Sequence, residues 1–119
     1  MGTKVTLEEA QTKVPYRIML ADIPGAALKN VSIGGCDCPD EHVVLVYDDG
    51  TGIEYAPTTL QPNLTDNPRA TALTVRGRIG ISRKPDSRWV VEWWENGLTI
   101  EVIGRRPVAE LVRIANSLR

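Results

Sequence analysis

One short stretch gathers the side chains that most readily do chemistry. Residues 34–42, GGCDCPDEH, hold both cysteines and the only histidine of the chain, with three carboxylates among them. Two thiolates and an imidazole, from Cys36, Cys38 and His42, would suit zinc. The spacing argues against it. Structural zinc knuckles separate paired cysteines by two or more residues, whereas one residue lies between these, and no second ligand pair exists elsewhere. A redox pair uses Cys-x-x-Cys at a helix start, where the dipole lowers a thiol pKa; neither condition is met. The stretch therefore reads first as a polar connection between strands, with or without a small strained Cys36–Cys38 disulfide. A metal- or redox-responsive domain built on Cys36, Cys38 and His42 is the competing reading.

The second candidate is a hairpin. Trp89 to Ile103 contains Asn96-Gly97, which suits a two-residue type I′ turn because both central residues need positive φ. That turn pairs Trp94 with Thr99, Trp93 with Ile100, Glu92 with Glu101 and Val91 with Val102. One face then carries Val91, Trp93, Leu98, Ile100 and Val102 and belongs to a core. The other sets Glu92 opposite Glu101 beside Trp94, and must be wet or matched by a cation. Arg69, Arg76, Arg78, Arg83 and Arg88 recur nearby, and one or two of them can serve that need. Trp94, Glu92 and Glu101 are the candidate binding residues.

Other motifs carry less. Asp48-Asp49-Gly50-Thr51-Gly52 looks like a calcium loop but lacks the third carboxylate and the bidentate Glu six residues after the glycine. Gly77-Arg78-Ile79-Gly80 is no dinucleotide fingerprint, since no helix pattern follows it. Catalysis is not expected: His42 is the sole imidazole, no Ser or Cys is tied to a base, and opposed glutamates on a flat sheet make a poor cleft. No cofactor is expected either.

These residues need elements to hold them. The 119 residues give room for one domain over 1–119, with Met1-Gly2-Thr3 reading as an added start on an excised domain. With 14 basic and 15 acidic residues there is no net field to steer nucleic acid. No apolar run reaches the roughly 18 residues of a membrane helix, and no signal-peptide pattern is present. Thr6-Leu7-Glu8-Glu9 is a capping box opening a short helix that Pro15 stops. Tyr16 to Leu20 reads as extended and Ile23-Pro24-Gly25 as a turn. Leu28 to Ile33 alternates apolar and polar as a strand, His42 to Tyr47 is a strong apolar strand, and Ile53 to Tyr55 is its return strand. Thr58 to Asn67 is a polar loop, and Ala72 to Val75 and Arg78 to Arg83 flank Gly77 as two more strands. Pro107 opens a last helix with Val108, Leu111, Val112, Ala115 and Leu118 on one stripe. The expected fold is α+β: an antiparallel sheet of about six strands, with the N-terminal and C-terminal helices packed on one face.

The run WVVEWWENGLTIEVIG followed by ELVRIANSL, together with VTLEEAQTKVPYRI and VVLVYDDGTG, resembles a bacterial family of unknown function. That family is found in the extracytoplasmic parts of anti-sigma-factor-like membrane proteins and of lipoproteins. The shared features are Trp93 or Trp94, Asn96-Gly97, Gly104, and the apolar positions Leu111, Ile114, Ala115 and Leu118. Arg105-Arg106-Pro107 departs from the Ser or Thr that commonly caps the last helix. The resemblance implies a non-catalytic sensor or accessory module, carried by a membrane-anchored or lipoprotein parent, that binds a protein, peptide or lipid. It brings no agreed site residues.

Overall fold

The computed structural model describes residues 2–34, 42–58 and 60–119. Cys36 and Cys38, and with them the disulfide and most of the metal or redox reading, lie outside the described residues.

Thr6 caps the first helix as its sequence predicts. The Glu9 amide donates to Thr6 Oγ1 at 3.1 Å and the Thr6 amide to Glu9 Oε1 at 3.3 Å, closing the capping box over α1, Leu7–Lys13. Val14 leaves in extended geometry ahead of Pro15. Ala10 and Val14 face inward and are buried.

From Tyr16 to Ala27 the chain makes no strand. It is a strap held by side chains of α1 and of two sheet residues, Tyr47 and Tyr55, and by the backbone of the C-terminal tail. Gln11 Nε2 donates to the Tyr16 carbonyl and Gln11 Oε1 accepts from the Ile18 amide, at 2.7 and 2.9 Å. Tyr55 Oη donates to the Met19 carbonyl at 2.8 Å, and the Ala21 amide donates to Tyr47 Oη at 2.9 Å. Leu20 and Arg119 exchange two backbone bonds of 3.0 and 3.1 Å. The extended reading of Tyr16 to Leu20 meets no neighbouring strand, because those partners satisfy its backbone instead. The turn at Ile23 is present, with the Ala26 amide bonded to the Ile23 carbonyl and Gly25 at φ 78°.

The strands are β1 (Thr3–Val5), β2 (Leu28–Ile33), β3 (Val43–Tyr47), β4 (Gly52–Pro57), β5 (Thr71–Val75), β6 (Arg78–Arg83), β7 (Trp89–Glu95) and β8 (Leu98–Gly104). They form one sheet in the order β1-β2-β3-β4-β8-β7-β6-β5. Each neighbouring pair is antiparallel. The count is eight, not six. Three-residue β1 is too short to show a period, and Thr3, expected to be part of an added start, pairs with Ile33. The sheet is two four-stranded meanders joined through β4 and β8, a pairing between segments far apart in sequence.

Both tight hairpins use type I′ turns: Arg76 and Gly77 stand at φ 53° and 72°, Asn96 and Gly97 at 51° and 78°. The β7–β8 register is the one the Asn-Gly turn predicts, including Glu92 opposite Glu101 and Trp93 opposite Ile100.

One face of the sheet makes the core. Val31, Ile33, Val43, Leu45, Ile53, Tyr55, Val75, Val91, Trp93, Ile100 and Val102 pack there in one cluster with Ala10 and Val14 of α1. From the other end come Leu111, Ile114 and Ala115 of α2, Val108–Asn116, and Leu118 just beyond it. The helix begins one residue after Pro107, which occupies the N-cap position. Fully buried Trp93 faces Gly80 across β6, where an added Cβ would lie 2.7 Å from both the Glu92 carbonyl and Val75 Cγ1. Only glycine lets the two strands meet under so large a ring.

Arg106 ties α2 to the β3–β4 turn, donating to Asp49 Oδ2 from Nη2 at 2.7 Å and to Glu110 Oε2 from Nη1 at 3.3 Å. The Thr51 amide and hydroxyl also donate to Asp49, so the supposed calcium loop spends this carboxylate on holding its own turn.

Candidate functional site

Alternation along the central strands sends Glu54, Glu92 and Glu101 to the face opposite the core. The register then aligns them: Glu54 of β4 is opposite Glu101 of β8, which is opposite Glu92 of β7. Three carboxylates thus form one row across three strands. Arg83 of β6 reaches into it, with Nη2 3.0 Å from Glu101 Oε1 and Nε 3.4 Å from Glu92 Oε1. The cation that sequence reasoning required is this one.

The compensation is incomplete. Burial pushes the Glu101 carboxyl up; a hydrogen bond with Glu54 and the Glu54 charge push it further, and Arg83 offsets only part. Burial likewise raises Glu92, with the Glu101 charge adding to it and Arg83 opposing. Side-chain exposures of 17% for Glu92 and 21% for Glu101 explain why water screens them poorly.

Trp94 lies one row along, opposite Thr99, which is opposite Ala56. It is half-buried rather than fully open, and its Nε1 is enclosed with no hydrogen-bond partner among the described residues. Ile81 pairs with Glu92 and Val90 with Ile103, so both stand on this outer face, yet both are buried. The β4–β5 connection must travel from mid-sheet to the β5 edge, and its 3-10 turn, Leu64–Asp66, packs against β6. The β3–β4–β8 side keeps a hollow of about 200 Å³, bordered by Val44, Glu54, Ala56, Thr99, Glu101 and His42. The structure therefore brings His42 to the edge of the glutamate row. Among the described residues no three His, Cys, Asp or Glu groups are placed to hold a metal ion.

Sequence reasoning found Glu92, Glu101 and Trp94 but missed Glu54, which joins them through the non-local β4–β8 pairing. It also missed a second charged site, on the core face. Glu95 continues the alternation of Val91 and Trp93 and is only 6% exposed. Arg76 Nε and Nη2 donate to its two oxygens at 2.7 and 3.1 Å, and Trp93 Nε1 donates to Oε1 at 3.0 Å. Arg76 Nη1 also donates to the Ala115 and Leu118 carbonyls at the end of α2. The available signal was a carboxylate at an inward strand position, which demands a buried cation.

The outer row can hold a positive group; neither site sets a nucleophile against a base. Comparison with protein-family models, with curated proteins and with solved structures returns no match for this chain.

Proposed function

We propose that this chain is a non-catalytic binding module whose contact surface is the outer sheet face around Glu54, Glu92, Glu101 and Trp94. The observation that supports this is the charge imbalance: three carboxylates in register and one guanidinium among them. A lysine or arginine side chain from a partner would relieve that imbalance, and charge-assisted bonds to carboxylates are the strong kind. Trp94 beside the row offers an aromatic flank for a cation. An acidic row repels anionic lipid, so the favoured partner is a protein or peptide. The resemblance of the hairpin and terminal segments is what supports an extracytoplasmic setting for the module, in a membrane-anchored or lipoprotein parent. A transmembrane segment or lipobox in the full-length gene product would support that placement, and a cytosolic parent would remove it.

The contact surface is tested with an arginine-rich peptide titrated by calorimetry at low and at physiological salt. The expected result is saturable binding to the wild type that weakens with salt. Replacing Glu92 and Glu101 by glutamine should weaken it by about tenfold or more. Equal affinity in the double variant would remove this face as the contact surface.

A further inference from the structure

On the core side, a cleft of about 490 Å³ opens between the strap, the β7–β8 turn and the tail after α2. That volume lies within the roughly 300–1,000 Å³ of small-molecule sites. Met19, Leu98, Ile100 and Leu118 give it apolar walls, and the Tyr16 ring stands at one side, 6.1 Å from that of Tyr55. Arg76 and Glu95 also line it, but each saturates the other, so together they bring no net charge.

The rim is different. Arg17 and Arg119 line the same cleft and are exposed. Neither side chain makes a hydrogen bond or ion pair with another described residue. Counting side chains alone, the cleft holds three guanidinium groups against one carboxylate. Apolar walls below unpaired cations define a ligand with the opposite arrangement.

We propose that this cleft binds a small organic anion, one carboxylate, sulfonate or phosphate group on a short apolar body, with the anion toward Arg17 and Arg119 and the body against Met19, Leu98 and Leu118. The site is separate from the outer-face contact and does not depend on it. A ligand seated there touches segments that belong to no common helix or strand: the strap, the hairpin turn and the tail. Its binding would tie the strap to the tail and the sheet more firmly, beyond the Leu20–Arg119 and Tyr55–Met19 bonds that already do so.

The test uses octanoate as the probe, with octylammonium and acetate as controls, followed by NMR of the Met19, Leu98 and Leu118 methyls. Octanoate should shift those methyls saturably and slow amide exchange at Leu20 and Ala21. Octylammonium and acetate should do neither. The Arg17→Gln, Arg119→Gln double variant should bind octanoate roughly tenfold more weakly. Both residues are exposed, and an unchanged spectrum elsewhere verifies that the variant is folded. Absent saturation by octanoate, equal shifts with octylammonium, or undiminished binding in the double variant would each overturn the proposal. A slowing of exchange at Leu20 that needs no arginine would overturn the assignment of the anion to this rim.

Discussion

Arg76→Ala is expected to cost about 3–5 kcal/mol of stability, the range for breaking one side of a buried ion pair. For a domain of this size that lowers Tm by roughly 10–20 °C, measured by thermal melts at neutral pH. The reason is what stays behind. Glu95 would keep its buried position with the Trp93 indole and the more exposed Arg78 guanidinium, 3.9 Å away, to answer it. The Leu118 carbonyl would lose its side-chain donor, and the Ala115 carbonyl would keep only its backbone donor. Arg76 also sits at φ 53°, the first central residue of the type I′ turn between β5 and β6. Glu95→Ala should cost about as much, since it strands the guanidinium. Glu95→Gln should cost less, because an amide oxygen still accepts from Arg76 and Trp93. Burial pushes the Glu95 carboxyl up, but the bonds from Arg76 and Trp93 outweigh it and hold it below the ordinary value. A depressed folded value means the pair's contribution is complete above about pH 4.3, where an unfolded glutamate ionises. It is lost as pH falls through the folded value. Wild type and Glu95→Gln should therefore converge in stability under acid; a constant gap down to pH 2 would contradict this account.

Local chemistry made most of the fold legible. The capping box at Thr6, the Asn96-Gly97 turn with its register, and the inward stripe of α2 each follow from residues within a few positions of one another. What could not be read depended on distant partners. β1 is three residues long and pairs with a strand that starts 23 residues after it ends (Val5 to Leu28). Glu54 looked like an ordinary outward strand residue until β4 paired with β8. The strap from Tyr16 to Ala27 takes its shape from side chains of Gln11, Tyr47 and Tyr55, none of which announces that role in sequence. Even the correct demand for a cation near Glu92 and Glu101 left several arginines to choose from. Geometry selects Arg83 for that row and assigns Arg76 to Glu95.

Glu101→Gln should do the opposite of Arg76→Ala and stabilise the protein at neutral pH, by about 2 kcal/mol. Directly opposed residues on adjacent antiparallel strands have Cβ atoms about 5 Å apart, which sets the scale for the separation of their charges. At an effective dielectric of about 20 that is roughly 3 kcal/mol of repulsion per ionised pair. Glu101 has such a neighbour on each side, Glu54 and Glu92. Losing the 3.0 Å bond to Arg83 returns part of the gain, although Arg83 keeps its contact with Glu92. The pH dependence identifies the cause. Burial and Glu54 hold the folded Glu101 carboxyl above its ordinary value, so below about pH 4.3 both folded and unfolded states are protonated and the group contributes nothing. As pH rises past that point the unfolded chain ionises first, and stability falls until the folded value is passed. Denaturant titrations should show wild type and Glu101→Gln equal near pH 4 and separating toward pH 7. Equal stability at pH 7 would mean that Arg83 already neutralises the row. If the separation is found, and the same substitution weakens the arginine-rich peptide, the protein is keeping a destabilising charge where a partner needs it, which is how a binding surface differs from a merely solvated one.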